Sequence, residues 1–174
     1  MPTGDEWPIP NSIFAETALI FNESNFDVAL LANYKQTVWI NGCFDLLHRG
    51  HLNTIRQAAM NGDCLVVGLN SDDSVKRLKG HGRPINSEQE RALTLAEIPG
   101  IKFVIIFSGN TPEDIIQKVK PKVVLKDEFY EKTDYPEKKI LASMGCEVKY
   151  LKHLEGISST ALEIRIQKVK HSDS

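Results

Sequence analysis

From Thr37 onward the chain alternates between short runs of apolar, β-prone residues and longer amphipathic segments. TVWI is followed by a helical pattern over 50–60, DCLVVGLN by one starting near Ser71, and a polar loop by another from about Ser87. IKFVIIF then leads to a segment opened by TPED, KVVL to a helix near 136–144, and EVKYL to a last helix from about Ser158. Strands this apolar are buried on both faces, and strands alternating with helices form parallel sheets through right-handed crossovers. The pattern predicts a single doubly wound α/β domain with a five-stranded, mainly parallel sheet. One helix start is marked independently: Thr111-Pro112-Glu113-Asp114 offers an N-cap, a proline in the first turn and acidic residues against the helix dipole.

Ahead of that pattern, residues 1–12 carry three prolines and no period, and read as a loose leader. Residues 13–34 hold apolar residues at roughly helical spacing, broken by the polar NESN, which predicts one or two short helices outside the sheet. Residues 1–36 are therefore expected to form a partly helical extension, and 37–170 the main domain. At 174 residues the chain has room for one domain with a real core. A net charge of −2 makes no electrostatic case for a nucleic-acid partner. No stretch approaches the ~20 apolar residues of a membrane span, and the acidic, proline-rich MPTGDEWPIP is no secretory signal. Cys43, Cys64 and Cys146 form no CxxC pair, which fits a reducing compartment. These features predict a cytoplasmic protein with neither a membrane nor a nucleic acid as partner.

In a doubly wound sheet, ligands bind outside the carboxyl ends of the strands. The turn leaving the first strand of the pattern reads NGCFDLLHRGH, residues 41–51. Gly42 permits a tight turn, and the helix that follows offers free N–H groups and a positive dipole end. There is neither GxGxxG nor a GKS/T loop here. His48 and His51, three apart, share a helix face and could converge on one ligand. A metal would need further ligands; Cys43 is near, but no other group has ligand spacing. Solvent-facing or capping histidines are the plain alternative. Glycine, aspartate and a strand end in one loop favour phosphate. Asn70, Ser71 and Asp72 end the next strand at the same sheet edge, where they also suit a helix N-cap. Gly156-Ile157-Ser158-Ser159-Thr160 likewise reads as a good N-cap with hydroxyls and N–H groups that suit phosphate oxygens.

GCFDLLHRGH resembles the extended signature of the HxGH-motif nucleotidylyltransferase superfamily, with Phe44 and Asp45 in the preceding pair and His48, Gly50 and His51 in the motif itself. The resemblance runs from about 37 to 166, roughly three quarters of the chain. VVGLNSDDSVKRLKGHGRPINSEQERALTLAEI is similar to the adenylyltransferase domain of bacterial ADP-heptose synthase, as is NTPEDIIQKVKPKVVLK. Beyond Lys126 that family continues as VKGGDY, where this chain has LKDEFY. The segment through LKHLEGISST is more similar to glycerol-3-phosphate cytidylyltransferase, although His153 stands where that family has arginine.

The resemblance implies a Rossmann-like domain that joins a nucleoside triphosphate to a phosphorylated small molecule and releases pyrophosphate. It implies ATP with a heptose 1-phosphate-like acceptor, or alternatively CTP with glycerol 3-phosphate or another polyol phosphate; a non-catalytic nucleotide-binding module is a third reading. In the enzymatic readings the acceptor's phosphate oxygen attacks the α-phosphorus, so catalysis is positioning and charge stabilisation. His48 and His51 then donate to the transferring phosphate, and Lys79 joins them. Asn41, Gly42, Cys43, Phe44, Gly50, Asn70, Asp72 and the 156–160 segment hold the nucleotide, and Arg91 a β- or γ-phosphate. Asp45, Arg83, Lys126 and Asp127 face the acceptor, with Lys79 and Arg83 in a mobile loop that closes; Lys76 and Arg77 equally suit a solvated helix face. Mg²⁺ would neutralise the triphosphate, and related enzymes imply a homodimer.

Overall fold

The computed structural model describes residues 17–152 and Leu162. Six strands form one sheet: β1 (Leu19–Asn22), β2 (Thr37–Gly42), β3 (Cys64–Asn70), β4 (Ile101–Phe107), β5 (Val123–Asp127) and β6 (Glu147–Leu151). Their order is β1-β4-β3-β2-β5-β6, and every pairing is parallel. Between them lie α1 (Arg49–Ala59), α2 (Asp72–Lys79), α3 (Glu88–Ala96), α4 (Glu113–Val119) and α5 (Lys138–Ser143). The expected doubly wound α/β architecture is borne out, with one strand more than expected.

That extra strand corrects the reading of residues 13–34. Leu19–Asn22 runs alongside Phe103–Ile106 of β4 instead of forming a helix, and among the described residues of this stretch only Val28–Leu31 makes a short 3-10 turn. A four-residue edge strand is held by its backbone ladder. Leu19 and Ile20 are exposed, so no buried stripe marks their period. The α4 start also differs from expectation: Pro112 occupies the N-cap without a side-chain bond, and Thr111 Oγ1 donates to Glu113 instead. Residues 153–161 and 163–174, which include the expected last helix and the 156–160 segment, lie outside the described residues.

Alternation along the strands sorts the core onto two faces. Val38, Ile40, Leu65, Val67, Val104 and Leu125 pack with Ile55 and Ala58 of α1 and Ala92 and Leu95 of α3. Trp39, Val66, Phe103, Ile105 and Val124 pack with Ile115, Ile116 and Val119 of α4 and Leu141 of α5. Gly68 is dictated by this second face, because a Cβ there would lie 2.3 Å from the Trp39 ring. Strand order reverses where β2 sits between β3 and β5. The crevice outside the strands' carboxyl ends therefore opens there. No described helix is long and apolar enough to cross a membrane.

Candidate active site

The 43–48 turn leaves β2 at that reversal point. Phe44 takes a left-handed conformation with φ 47° and folds its ring back over Gly42, where a Cβ would meet it at 3.3 Å. A non-glycine residue with positive φ is uncommon and is held only where its surroundings over-determine it. Here burial of the Phe44 ring in the α1 face does so. His48 is the N-cap of α1, its Nδ1 accepting from Gly50 N at 3.1 Å. With Nδ1 an acceptor, the neutral ring carries its proton on Nε2 and offers a donor. The His48 and His51 rings stack with centroids 3.9 Å apart and planes 22° from parallel, and the Phe44 ring lies 5.2 Å from His51. His51 Nδ1 is buried without a hydrogen-bond partner among the described residues. Burial, then the positive charges of His48 and Lys79, push the His51 pKa down to about 4. The His51 ring is therefore neutral in the free protein near pH ~7, the ordinary histidine value being ~6.5. Burial also pushes the Cys43 thiol up against the lowering influence of Lys79 and Arg91, so it is a thiol and not a thiolate.

Two buried charges fix this turn. Asp45, 2% exposed, accepts from Arg83 Nη1 at 2.6 Å and from the N–H groups of Ile85 and Asn86 at 2.8 and 3.0 Å. Its carbonyl also accepts from Asn86 Nδ2. Burial alone would raise its pKa, but the Arg83 hydrogen bond, the two N–H groups and the guanidinium charge together bring it below the ordinary carboxylate value. Arg91, also 2% exposed, donates to the carbonyls of Cys43, Asn70 and Asn86 and to Asp72 Oδ1, at 2.6, 2.8, 3.0 and 2.7 Å. One guanidinium thus ties the ends of β2 and β3 to the starts of α2 and α3.

These contacts revise several expected roles. Arg91 faces backbone and Asp72, not an open phosphate site. Asp72 also has its N–H on Glu88 Oε2, and Asn70 donates to Ser74 Oγ inside the fold. Asp45 and Arg83, both expected at the acceptor, are paired with each other. Arg83 is therefore fastened to the histidine loop, while Lys79 stays exposed and near enough to act electrostatically on His51 and Cys43. Gly80 and Gly82, with φ 86° and 88°, flank the Lys79 end of the connection in open space. Of the neighbouring basic residues, Arg77 holds Asn110 Oδ1 and the Ser108 carbonyl, and Lys76 pairs with Asp73 on the surface.

Across the crevice, β5 ends in Lys126 and Asp127. Asp127 caps the following 3-10 turn, Glu128–Lys132, by accepting from Phe129 N. Lys126 is buried against Glu137. The turn and its flanks line an open concavity from Asp127 to Thr133. No group of three or more His, Cys, Asp or Glu side chains among the described residues could hold a metal ion, so the metal reading of His48 and His51 lacks its donor set there.

Residues 39–165 match the cytidylyltransferase-like family. The chain belongs to that family. The matching span starts inside β2 and contains the whole histidine turn. The chain's resemblance to HxGH nucleotidylyltransferases and to the ADP-heptose synthase adenylyltransferase domain is borne out by this family match and by curated relatives. The bifunctional protein HldE of Wolinella succinogenes is 43% identical over 134 residues, 76% of this chain and 27% of that one. HldE of Helicobacter pylori J99 is 39% identical over 169 residues, 91% of this chain and 35% of its own. The chain thus spans about a third of the length of these relatives. Among solved structures, the lipopolysaccharide core biosynthesis protein of Thermoplasma volcanium matches with a TM-score of 0.54 and 24% identity, over 68% of this chain and 96% of that one. Pantoate-beta-alanine ligase of Francisella tularensis matches with a TM-score of 0.60 and 13% identity, over 86% and 77%. At such identities the likeness is one of fold.

Within this cytidylyltransferase-like domain, the sequence motif brought His48, His51, Gly50 and Phe44 together as expected. It did not reveal Asn86, Glu88 or Glu137, which hold Asp45, the start of α2 and Lys126. Asn86 sits in a polar loop and Glu88 at a helix start, where nothing local separates a long-range clamp from a solvated side chain.

Proposed function

We propose that the protein is a nucleotidylyltransferase that joins ATP to a sugar phosphate, with D-glycero-beta-D-manno-heptose 1-phosphate as acceptor. The observation that carries this reading is the stacked pair of histidines at the start of α1, at the sheet's reversal point, in a chain about 40% identical to HldE proteins. The acceptor's ionised phosphate oxygen forms a bond to the α-phosphorus, the α–β bridging bond breaks, and pyrophosphate leaves. No protein nucleophile is needed, so the site's task is to orient the phosphates and meet growing negative charge. His48 Nε2–H and the His51 ring supply donors there, together with the free N–H groups of the first α1 turn. Lys79, exposed on its glycine-flanked tether, reaches over the phosphates. Arg91, Asp45 and Arg83 act one layer back, holding the turn in shape before substrate arrives. The 156–160 segment, outside the described residues, joins the nucleotide site by its likeness to the family motif.

A divalent cation such as Mg²⁺ would supply charge neutralisation on the triphosphate; no group of three or more His, Cys, Asp or Glu among the described residues could hold it. Three free cysteines fit a cytoplasmic setting. The assembly reading is a homodimer, checked by light scattering coupled to size exclusion. Pyrophosphate release measured for ATP, CTP, GTP and UTP against heptose 1-phosphate, glycerol 3-phosphate and other polyol phosphates tests the chemistry. Highest kcat/KM is expected for ATP with heptose 1-phosphate. Preference for CTP with glycerol 3-phosphate would replace this reading, and silence across the whole panel would end it.

A further inference from the structure

Lys126 ends β5 beside β2, a place where a cation in a protein handling two phosphorylated substrates suggests an anion contact. Its surroundings say otherwise. The side chain is 8% exposed, and Nζ hydrogen-bonds Glu137 Oε1, itself buried. The ammonium also lies 5.0 Å from the Tyr130 ring centre and 4.8 Å from that of Tyr135. A carboxylate and two ring faces thus meet its charge inside the fold. The pair spans a sequence separation of 11 and closes the chain between β5 and α5 into a loop. Inside that loop, Phe129 packs edge-on against Tyr130 and Tyr130 against Tyr135, each with centroids 5.7 Å apart. Tyr135 Oη meets Tyr150 Oη of β6 at 3.2 Å, tying the far end of the loop to the sheet.

We infer that Glu137 and Lys126 are a positioning pair for the acceptor-side wall of the site, an inference that rests on the nucleotidylyl-transfer reading above. Lys126 acts through the 127–133 turn and not on the acceptor itself. A buried ion pair is weak evidence for stability, since apolar side chains of similar size often do as well. What such a pair adds is direction: one hydrogen bond under two rings sets where the turn sits. The chain has LKDEFY where the heptose enzymes read VKGGDY, and the Lys126–Glu137 contact holds this turn in the absence of that glycine pair.

The sign of one substitution separates the two roles for Lys126. If Glu137 merely restrained a lysine that binds the acceptor, Glu137→Gln would release the charge and lower the acceptor KM. If the pair positions the turn, Glu137→Gln and Lys126→Met both raise that KM, by about tenfold, with kcat and the ATP KM changed by less than about twofold. The assay uses full-length protein with ATP and D-glycero-beta-D-manno-heptose 1-phosphate, read by pyrophosphate release. Hydrogen exchange over 128–133 should quicken in Glu137→Gln while α1 keeps its protection. The double variant Lys126→Met/Glu137→Leu, which leaves no unpaired charge, should keep the wild-type Tm yet retain the raised acceptor KM. A lowered acceptor KM in Glu137→Gln, or a wild-type KM in the double variant, overturns the inference. If wild-type protein turns over no substrate pair, the transfer reading fails by itself. Exchange then decides the pair's role: quickened exchange over 128–133 upholds it, and unchanged exchange overturns it.

Discussion

The carboxyl ends of β2 and β5 lie next to each other in the sheet and face one crevice, yet they are held in different ways. At β2, hydrogen bonds from four sequence segments converge on two buried charges, Asp45 and Arg91, and the histidine turn has little freedom left. At β5, a neutralised lysine sits under aromatic rings, and the turn beyond it shows Phe129 to solvent. Chemistry common to every substrate pair needs donors fixed before the substrate arrives. The choice of acceptor needs a surface that can change without disturbing those donors. Under the proposed function, this contrast assigns the common step to the β2 wall and the discriminating contacts to the β5 wall.

Removing the β2 clamp is the largest perturbation expected. Asp45→Ala leaves the Arg83 guanidinium buried without its carboxylate, and breaking such a pair costs about 3–5 kcal/mol. Urea unfolding at pH 7 measures it, and a loss under about 1 kcal/mol would show that the clamp is ornamental. The same carboxylate has a pH signature. Its folded pKa is depressed, so its contribution is complete above the ordinary carboxylate value, ~3.9, and disappears as pH falls through the lower folded value. Asp45→Asn should lack that limb. His51 adds a separate one: with a folded pKa of about 4 against ~6.5 unfolded, its stabilisation is present above pH ~6.5 and fades as pH falls toward 4. A His51→Ala protein should lose the earlier limb and keep the later.

Turnover should respond next. His48→Ala or His51→Ala removes a donor aimed at developing charge, and pyrophosphate release is expected to fall by about 10²–10³-fold while circular dichroism is unchanged. Activity within tenfold of wild type in both variants would move the chemistry away from the β2 wall. The His51 imidazole followed by NMR should titrate near 4 in free protein and shift upward with ATP, because a nearby triphosphate favours the protonated ring. Behind the same wall, Gly68→Ala presses a methyl against Trp39, whose Nε1 donates to Asn41 Oδ1. Overpacking of this kind costs about 1–3 kcal/mol, read as a lower Tm with the His51 titration unmoved.

TVWI, DCLVVGLN, IKFVIIF and KVVL were legible because burial on both faces leaves a nearly continuous apolar run, and the edge strand EVKYL because its half-buried Val148 and Tyr150 alternate with charged residues. Leu19–Asn22 was not, because this edge strand is specified by backbone pairing and its exposed side chains carry no period. The same distinction runs through the site. His48, Gly50 and His51 stand within one turn of each other, so local sequence carries their relation. Asp45 finds Arg83 at a separation of 38 residues, and Arg91 finds the Cys43 carbonyl at 48. Residue type alone says that an arginine meets oxygen, and leaves open whether that oxygen is a phosphate or the protein's own backbone. For Arg91 it is the backbone. Lys126 is the parallel case on the other wall, where Glu137 supplies the counter-charge that the motif led us to assign to a substrate.

Phe129 gives the smallest stability effect and the cleanest separation of the two walls. It is 70% exposed, whereas Phe44 is buried beneath the histidines. Truncating a buried phenylalanine costs about 3–5 kcal/mol, while surface changes stay within about 0.5 kcal/mol. Phe129→Ala should therefore leave Tm, the His51 titration and the ATP KM where they are. Its edge contact with Tyr130 is the only ring contact it makes among the described residues, and Tyr130 keeps its packing on Tyr135 and Lys126 when Phe129 is cut back. If the β5 wall discriminates among acceptors, the ratio of kcat/KM for heptose 1-phosphate to that for glycerol 3-phosphate changes in this variant, and kcat with saturating acceptor does not. A ratio that stays fixed while kcat falls would mean that the two walls act as one unit, and that the rigidity of the β2 side extends across the crevice.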